Sequence, residues 1–146
     1  MKSNLRMRRL LDRLNINPDR ILHSEITETP QLQFVNGCVF LAEEYARSKV
    51  ANSQFSDRTG YECFVNHVHF QTGRDKQALE EVFDYASAIR KALLSSSDGS
   101  FEIILSVADG GSILRFHKCR PGETWLSEDL ESYEQEAILT VIVRPN

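Results

Sequence analysis

The chain has 146 residues, 41% of them hydrophobic and 26% charged, with a formal net charge of −4. Those proportions belong to an ordinary folded domain and exclude a disordered chain, a collagen and a long coiled coil. A chain of this length buries roughly two thirds of its unfolded surface, so no disulfide or metal staple is required, and 1–146 reads as a single domain.

Cys38, Cys63 and Cys119 are odd in number and contain no CxxC pair. That is not the framework of a small secreted domain, and a cytoplasmic protein is expected. The N-terminus is basic, but charged residues interrupt its apolar ones where an export signal needs a continuous block. The longest apolar stretch, Ala137 to Val143, falls far short of the ~20 residues that cross a bilayer, so no membrane association is expected.

Leu5, Met7, Leu10, Leu11 and Leu14 recur at spacings of three and four, with Arg6, Arg9 and Arg13 opposite. This predicts an amphipathic helix, making 1–16 a basic segment that need not be central to the fold. Asn17 and Pro18 end it. Ile21 to Glu28 reads as a weak strand closed by Thr29 and Pro30. Residues 32–42 are apolar at both parities, the pattern of a strand buried on both faces at the centre of a sheet. Residues 43–60 are polar and read as a short helix or long loop. Tyr61 to Phe70 sets Phe64, Val68 and Phe70 against Cys63, Val65, His67 and His69, which predicts a strand.

The clearest helix covers 75–94, with Leu79, Val82, Phe83, Ala86, Ile89 and Leu93 as its apolar stripe and Thr72 or Asp75 as its cap. The cluster from Ser95 through Ser97 and Asp98 to Gly99 stops it. Phe101 to Val107 and Ser112 to Cys119, separated by Asp109, Gly110 and Gly111, predict a hairpin. Residues 121–136 form a loop with one helical turn between Ser127 and Tyr133, and Ala137 to Val143 forms the last strand. Strands in runs favour α+β: a largely antiparallel sheet of five to six strands, with the 75–94 helix on one face.

His67 and His69 share one strand face, and His117 and Cys119 repeat the spacing. Were those strands neighbours, they would offer a set of three nitrogens and one sulfur suited to zinc, or a Cys-His pair. Satisfied strand histidines and buried structural thiols are the better expectation, so neither metal nor cofactor is assigned. Gly110 and Gly111 are followed by strand instead of a helix N-terminus, so they make a turn and no phosphate cradle. With no complete catalytic set, the chain is not expected to be an enzyme.

Charge is unevenly placed. Residues 1–20 hold six basic and two acidic groups, a net of +4, which leaves −8 on the remainder. Residues 122–137 carry Glu123, Glu128, Asp129, Glu131, Glu134 and Glu136 with no Lys or Arg. A solvated face is the ordinary explanation for such a run. Here the carboxylates are mixed with Trp125, Leu126, Leu130 and Tyr133, the composition of a contact surface with aromatic anchors. Glu123, Trp125, Glu128, Asp129, Glu131, Tyr133 and Glu134 are therefore the candidate partner-binding residues.

A small, acidic α+β domain with no catalytic set and one carboxylate-rich, aromatic-containing segment resembles bacterial immunity proteins, including those paired with contact-dependent growth inhibition toxins. The resemblance implies an inhibitor that binds a cognate toxin domain, often a basic nuclease, with side chains standing where phosphates would. One alternative is a nucleic-acid-associated module using the arginine-rich helix. It is disfavoured by the net charge and by the absence of aromatics in the basic stretch. Another is a small metal-binding protein or metal-dependent enzyme using the strand His and Cys residues.

Overall fold

A computed structural model of the chain describes residues 1–71, 75–96 and 99–145. Its framework is a five-stranded antiparallel sheet built outward from one hairpin. β5 (Phe101–Ala108) and β6 (Gly111–Lys118) pair from Ala108↔Gly111 to Phe101↔Lys118. Asp109 and Gly110 are thus a two-residue turn. Gly111 is required beside it: its φ is +118°, and a Cβ there would meet the Phe70 carbonyl oxygen at 2.2 Å.

β7 (Ala137–Val143) pairs with the other edge of β5, β1 (Lys2–Ser3) pairs with β7, and β4 (Val68–Phe70) pairs with β6. The order is β1-β7-β5-β6-β4. The fold is α+β with a largely antiparallel sheet, as the run of strands implies.

α5 (Lys76–Leu94) covers one face of this sheet. Asp75 caps it, its side chain accepting from the Ala78 amide; Thr72, Gly73, Ser97 and Asp98, also expected to bound the helix, lie outside the described residues. Leu79, Val82, Phe83, Ala86, Ile89 and Leu93 are all buried, and they form one core with Phe101, Ile103, Leu105, Leu114, Phe116, Leu139 and Val141. α1 (Leu5–Leu14) adds Met7, Leu10 and Leu11 to that core. Asn4 caps α1, accepting from the Met7 amide, and the left-handed Asn15 (φ +54°) ends it.

Three expected elements are replaced. Ile21 to Glu28 is not a strand: α2 (Arg20–His23) is a short helix, followed by residues without regular structure. It is held to α5 by Arg20, whose Nε and Nη2 donate to the two Asp84 oxygens at 2.7 and 2.9 Å. Residues 32–42 are not one central strand but a hairpin outside the main sheet, β2 (Leu32–Val35) and β3 (Cys38–Leu41). The turn is Asn36-Gly37, with φ of +50° and +82°, a strong hairpin dipeptide. Apolar residues occur at both parities because β3 is buried along its whole length.

Tyr61 to Phe70 is likewise not a single strand. α3 (Ala42–Arg47) follows β3, and α4 (Arg58–Val65) takes the first half of the expected strand, leaving β4 at its end. Asp57 starts α4 by accepting from the Gly60 amide at 2.7 Å. The residues buried on α4 include Glu62, whose partners are distant in sequence.

Candidate functional site

The candidate contact residues lie on the connection between β6 and β7, residues 121–136, which crosses the molecule as a strap. Its start is fixed by a buried clasp. Glu62 on α4 and Asn66, its C-cap, are four residues apart and fully buried. The Glu62 carboxylate accepts from the Val39 amide at 2.7 Å, the Lys118 amide at 3.2 Å and Arg120 Nη1 at 2.5 Å. Asn66 accepts from the Leu41 amide and donates to the Val39 and Phe116 carbonyls. Arg120 Nη2 donates to the Gly37 carbonyl at 3.0 Å. Two side chains, one on α4 and one at its C-cap, thus join the outlying hairpin, the main sheet and the root of the strap.

Of the candidates, Glu123 belongs to this root. It accepts from the Thr59 amide at 3.1 Å, and that bond, reinforced by the Arg120 charge, holds its carboxyl below the usual carboxylate range. Trp125, 38% exposed, lies against the Arg115 guanidinium, 5.1 Å from ring centroid to Cζ. Arg115 stands on the face of the sheet turned away from α5, and burial pulls its pKa down. Trp125 therefore anchors the strap while leaving part of its ring in solvent.

Further along, the strap is stiffened by its own backbone. Asp129 accepts from the Glu131 amide at 3.1 Å, the Tyr133 hydroxyl accepts from the Ser127 amide at 2.9 Å, and Leu130–Ser132 is a single 3-10 turn. Glu131 reaches α1, accepting from the Leu5 amide at 2.6 Å. Asn4 closes the far end: its Oδ1 accepts from Ile138 at 3.0 Å, and its Nδ2 donates to the Glu136 carbonyl at 2.8 Å. Glu128 and Glu134 are exposed and make no hydrogen bond or ion pair among the described residues.

A groove of about 530 Å³ runs between the strap and α1. One wall carries Arg6, Arg9 and Arg13; the other carries Glu131, Tyr133 and Glu134. Leu10, Val107 and Ala137 form its floor. Arg6, Arg9 and Arg13 are exposed and, among the described residues, have no hydrogen-bond or ion-pair partner. The two charge concentrations legible in the sequence are thus neighbours across a cleft.

The chain belongs to the uncharacterized protein PM0498 family. That family's model matches residues 2–144, so α1, the groove, the strap and β7 all lie within the matched region. No curated protein and no solved structure matches the chain.

The His and Cys residues are not brought together. β4 meets β6 at Val68↔Leu114, His69↔Ile113 and Phe70↔Ser112, so His69 lies beside Ile113, four residues along the strand from His117. At ~3.3 Å per residue that is about 13 Å. The His67 and His69 rings face each other at 6.5 Å, while His117 is buried against Glu102, with Nε2 to Oε2 3.0 Å. Cys38 and Cys63 are buried and Cys119 partly so, all free, and burial pushes each thiol pKa up, which disfavours a nucleophilic thiolate.

Glu62, Asn66 and Arg120 escaped the sequence reading because the partners that make the clasp lie up to 83 residues away. The Glu102–His117 pair was closer to view. Once Asp109-Gly110 is taken as a two-residue turn, antiparallel register sets Glu102 opposite His117.

Proposed function

We propose that the protein is a non-catalytic inhibitor, an immunity protein that neutralises a cognate basic toxin domain by direct binding through the strap. The observation that carries this reading is the strap's construction. It is fixed at the Glu62–Arg120 clasp, at Trp125 on Arg115 and at Asn4, while Glu128 and Glu134 project without partners among the described residues. A stiff scaffold displaying carboxylates beside a half-exposed tryptophan suits a cationic protein surface: the charge speeds encounter, and the aromatic supplies desolvated contact area. Little conformational entropy remains to be lost on binding.

A nucleic-acid role for Arg6, Arg9 and Arg13 is less well supported, because Glu131 and Glu134 stand across the groove where a phosphate chain would run.

The test is capture of the partner from the source cell by the wild-type chain and by a Glu128→Lys, Asp129→Lys, Glu131→Lys variant. Association kinetics at low and high salt follow, with growth of cells making the captured partner with and without this chain. The expected result is a basic protein whose toxicity the wild type suppresses, and a variant that associates more slowly, with a difference that shrinks at high salt. Unchanged rates at both salts, or RNA as the sole captured partner, would overturn the reading.

A further inference from the structure

The groove has two walls of opposite charge and an apolar floor. Arg6, Arg9 and Arg13 follow one another at spacings of three and four, so their guanidinium groups form a stripe along α1. At 1.5 Å rise per residue, Arg6 to Arg13 spans about 10 Å. Tyr133 and Glu134 stand on the opposing wall, and Glu131, whose carboxylate accepts from the Leu5 amide, adds its charge where the strap meets the start of α1. Leu5, 40% exposed, adds apolar surface at the edge, while Leu10, Val107 and Ala137 beneath are themselves buried.

A nucleic-acid strand suits the arginine wall and is repelled by the carboxylates; a uniformly basic surface meets the reverse problem. The occupant must carry both signs, in parallel stripes, at the same separation. This chain carries that pattern itself.

We propose that the groove is a self-association surface, and that its occupant is the same face of a second copy. A two-fold axis running along the groove sets the arginine wall of one copy on the carboxylate wall of the other, and the reverse, so one pairing makes two complementary seams. The Leu5 side chains then lose solvent between the seams. The interface is isologous, so it closes at two chains and does not propagate. The two readings share part of the strap: Glu131, Tyr133 and Glu134 line the groove, while Glu123, Trp125 and Glu128 lie outside it and stay available in the pair.

The test is sedimentation velocity of the full chain over a concentration series at low and physiological salt, with folding of each variant checked by circular dichroism. The wild type is expected to reach the mass of two chains and to dissociate as salt screens the seams, since the Debye length shortens to about 8 Å at physiological ionic strength. Arg6→Glu, Arg9→Glu, Arg13→Glu makes both walls acidic, and Glu131→Lys, Glu134→Lys makes both basic. Each variant alone should self-associate about a hundredfold more weakly or worse, because like charges then face each other. An equimolar mixture of the two should restore a dimer containing one of each, since every seam again pairs opposite charges. Glu134→Lys alone, at a side chain without hydrogen bonds among the described residues, repeats the second arm without disturbing the Glu131 contact to α1. A wild type that stays monomeric to millimolar concentration, a dimer that persists in either variant, or a mixture that fails to recombine would each overturn the proposal.

Discussion

His117 is 2% exposed, and its ring nitrogens face two acceptors, the Lys118 carbonyl at 2.8 Å and the Glu102 carboxylate at 3.0 Å. Both nitrogens must donate, which makes the ring an imidazolium. Burial works against that charge, but the hydrogen bonds to Glu102 and Lys118 and the charges of Glu102 and Glu62 outweigh it, and the pKa is raised. The stability the pair contributes is fully present below the unfolded value of about 6.5 and is lost as pH rises through the folded one. The difference in urea stability between wild type and His117→Gln should therefore shrink as pH rises from about 6.5 into the alkaline range. His67, lowered mainly by burial and then by the Arg115 charge, acts with the opposite sign but is common to both proteins and cancels. A difference that stays constant across the range would refute the imidazolium assignment. Arg120 makes the second residue-scale prediction. Its replacement by Met leaves the fully buried Glu62 without its cation, and denaturant titration should show a loss of about 3–5 kcal/mol.

At the scale of elements, α5 follows its own periodicity, because a 19-residue helix with a continuous apolar stripe has one way to bury it. Phe83→Ala should cost about 3–5 kcal/mol in a denaturant titration; a loss below about 1 kcal/mol would mean the side chain is not part of the core. The β2–β3 hairpin depends on two left-handed residues, and a Cβ at Gly37 would lie 3.3 Å from Arg58 Nη1. Gly37→Ala should cost about 1–2 kcal/mol, mostly in backbone strain. Because Arg120 donates to the Gly37 carbonyl, that change and Arg120→Met should be non-additive in a double-mutant cycle. α4 shows why alternation misled. Phe64, Val68 and Phe70 do share a parity, but the Asp57 cap and the buried Glu62 and Asn66, one turn apart, commit 58–65 to a helix. Helix and strand patterns are hard to separate over short apolar runs.

At the scale of the molecule, the chain's two ends meet. β1 adds to β7, Asn4 bonds to residues 136 and 138, and α1 contributes Met7, Leu10 and Leu11 to the core that α5 and the sheet share. Deleting residues 1–16 should therefore abolish cooperative unfolding and leave a chain open to limited proteolysis; a sharp thermal transition in that deletion would show that α1 only decorates the domain. The strap closes between the α4 clasp and Asn4, so its acidic side chains are displayed by contacts made at positions far away in sequence.

What the sequence determined by itself was local: the α5 stripe, the hairpin at Asp109-Gly110, the last strand, the acidic run with its embedded aromatics, and the basic face of α1. Each is a pattern whose physical cause lies within a few residues, in a turn dipeptide, a helical period or a run of like charge. Only the tertiary structure decided that Glu62 and Asn66 bind three separate segments, that residues 32–42 leave the main sheet, that His69 and His117 lie apart, and that Arg6, Arg9 and Arg13 face Glu131 and Glu134 across a groove. Those outcomes depend on which strands become neighbours and in what register. A buried polar side chain is stable only where distant partners satisfy it, and neither partner's local sequence records the other.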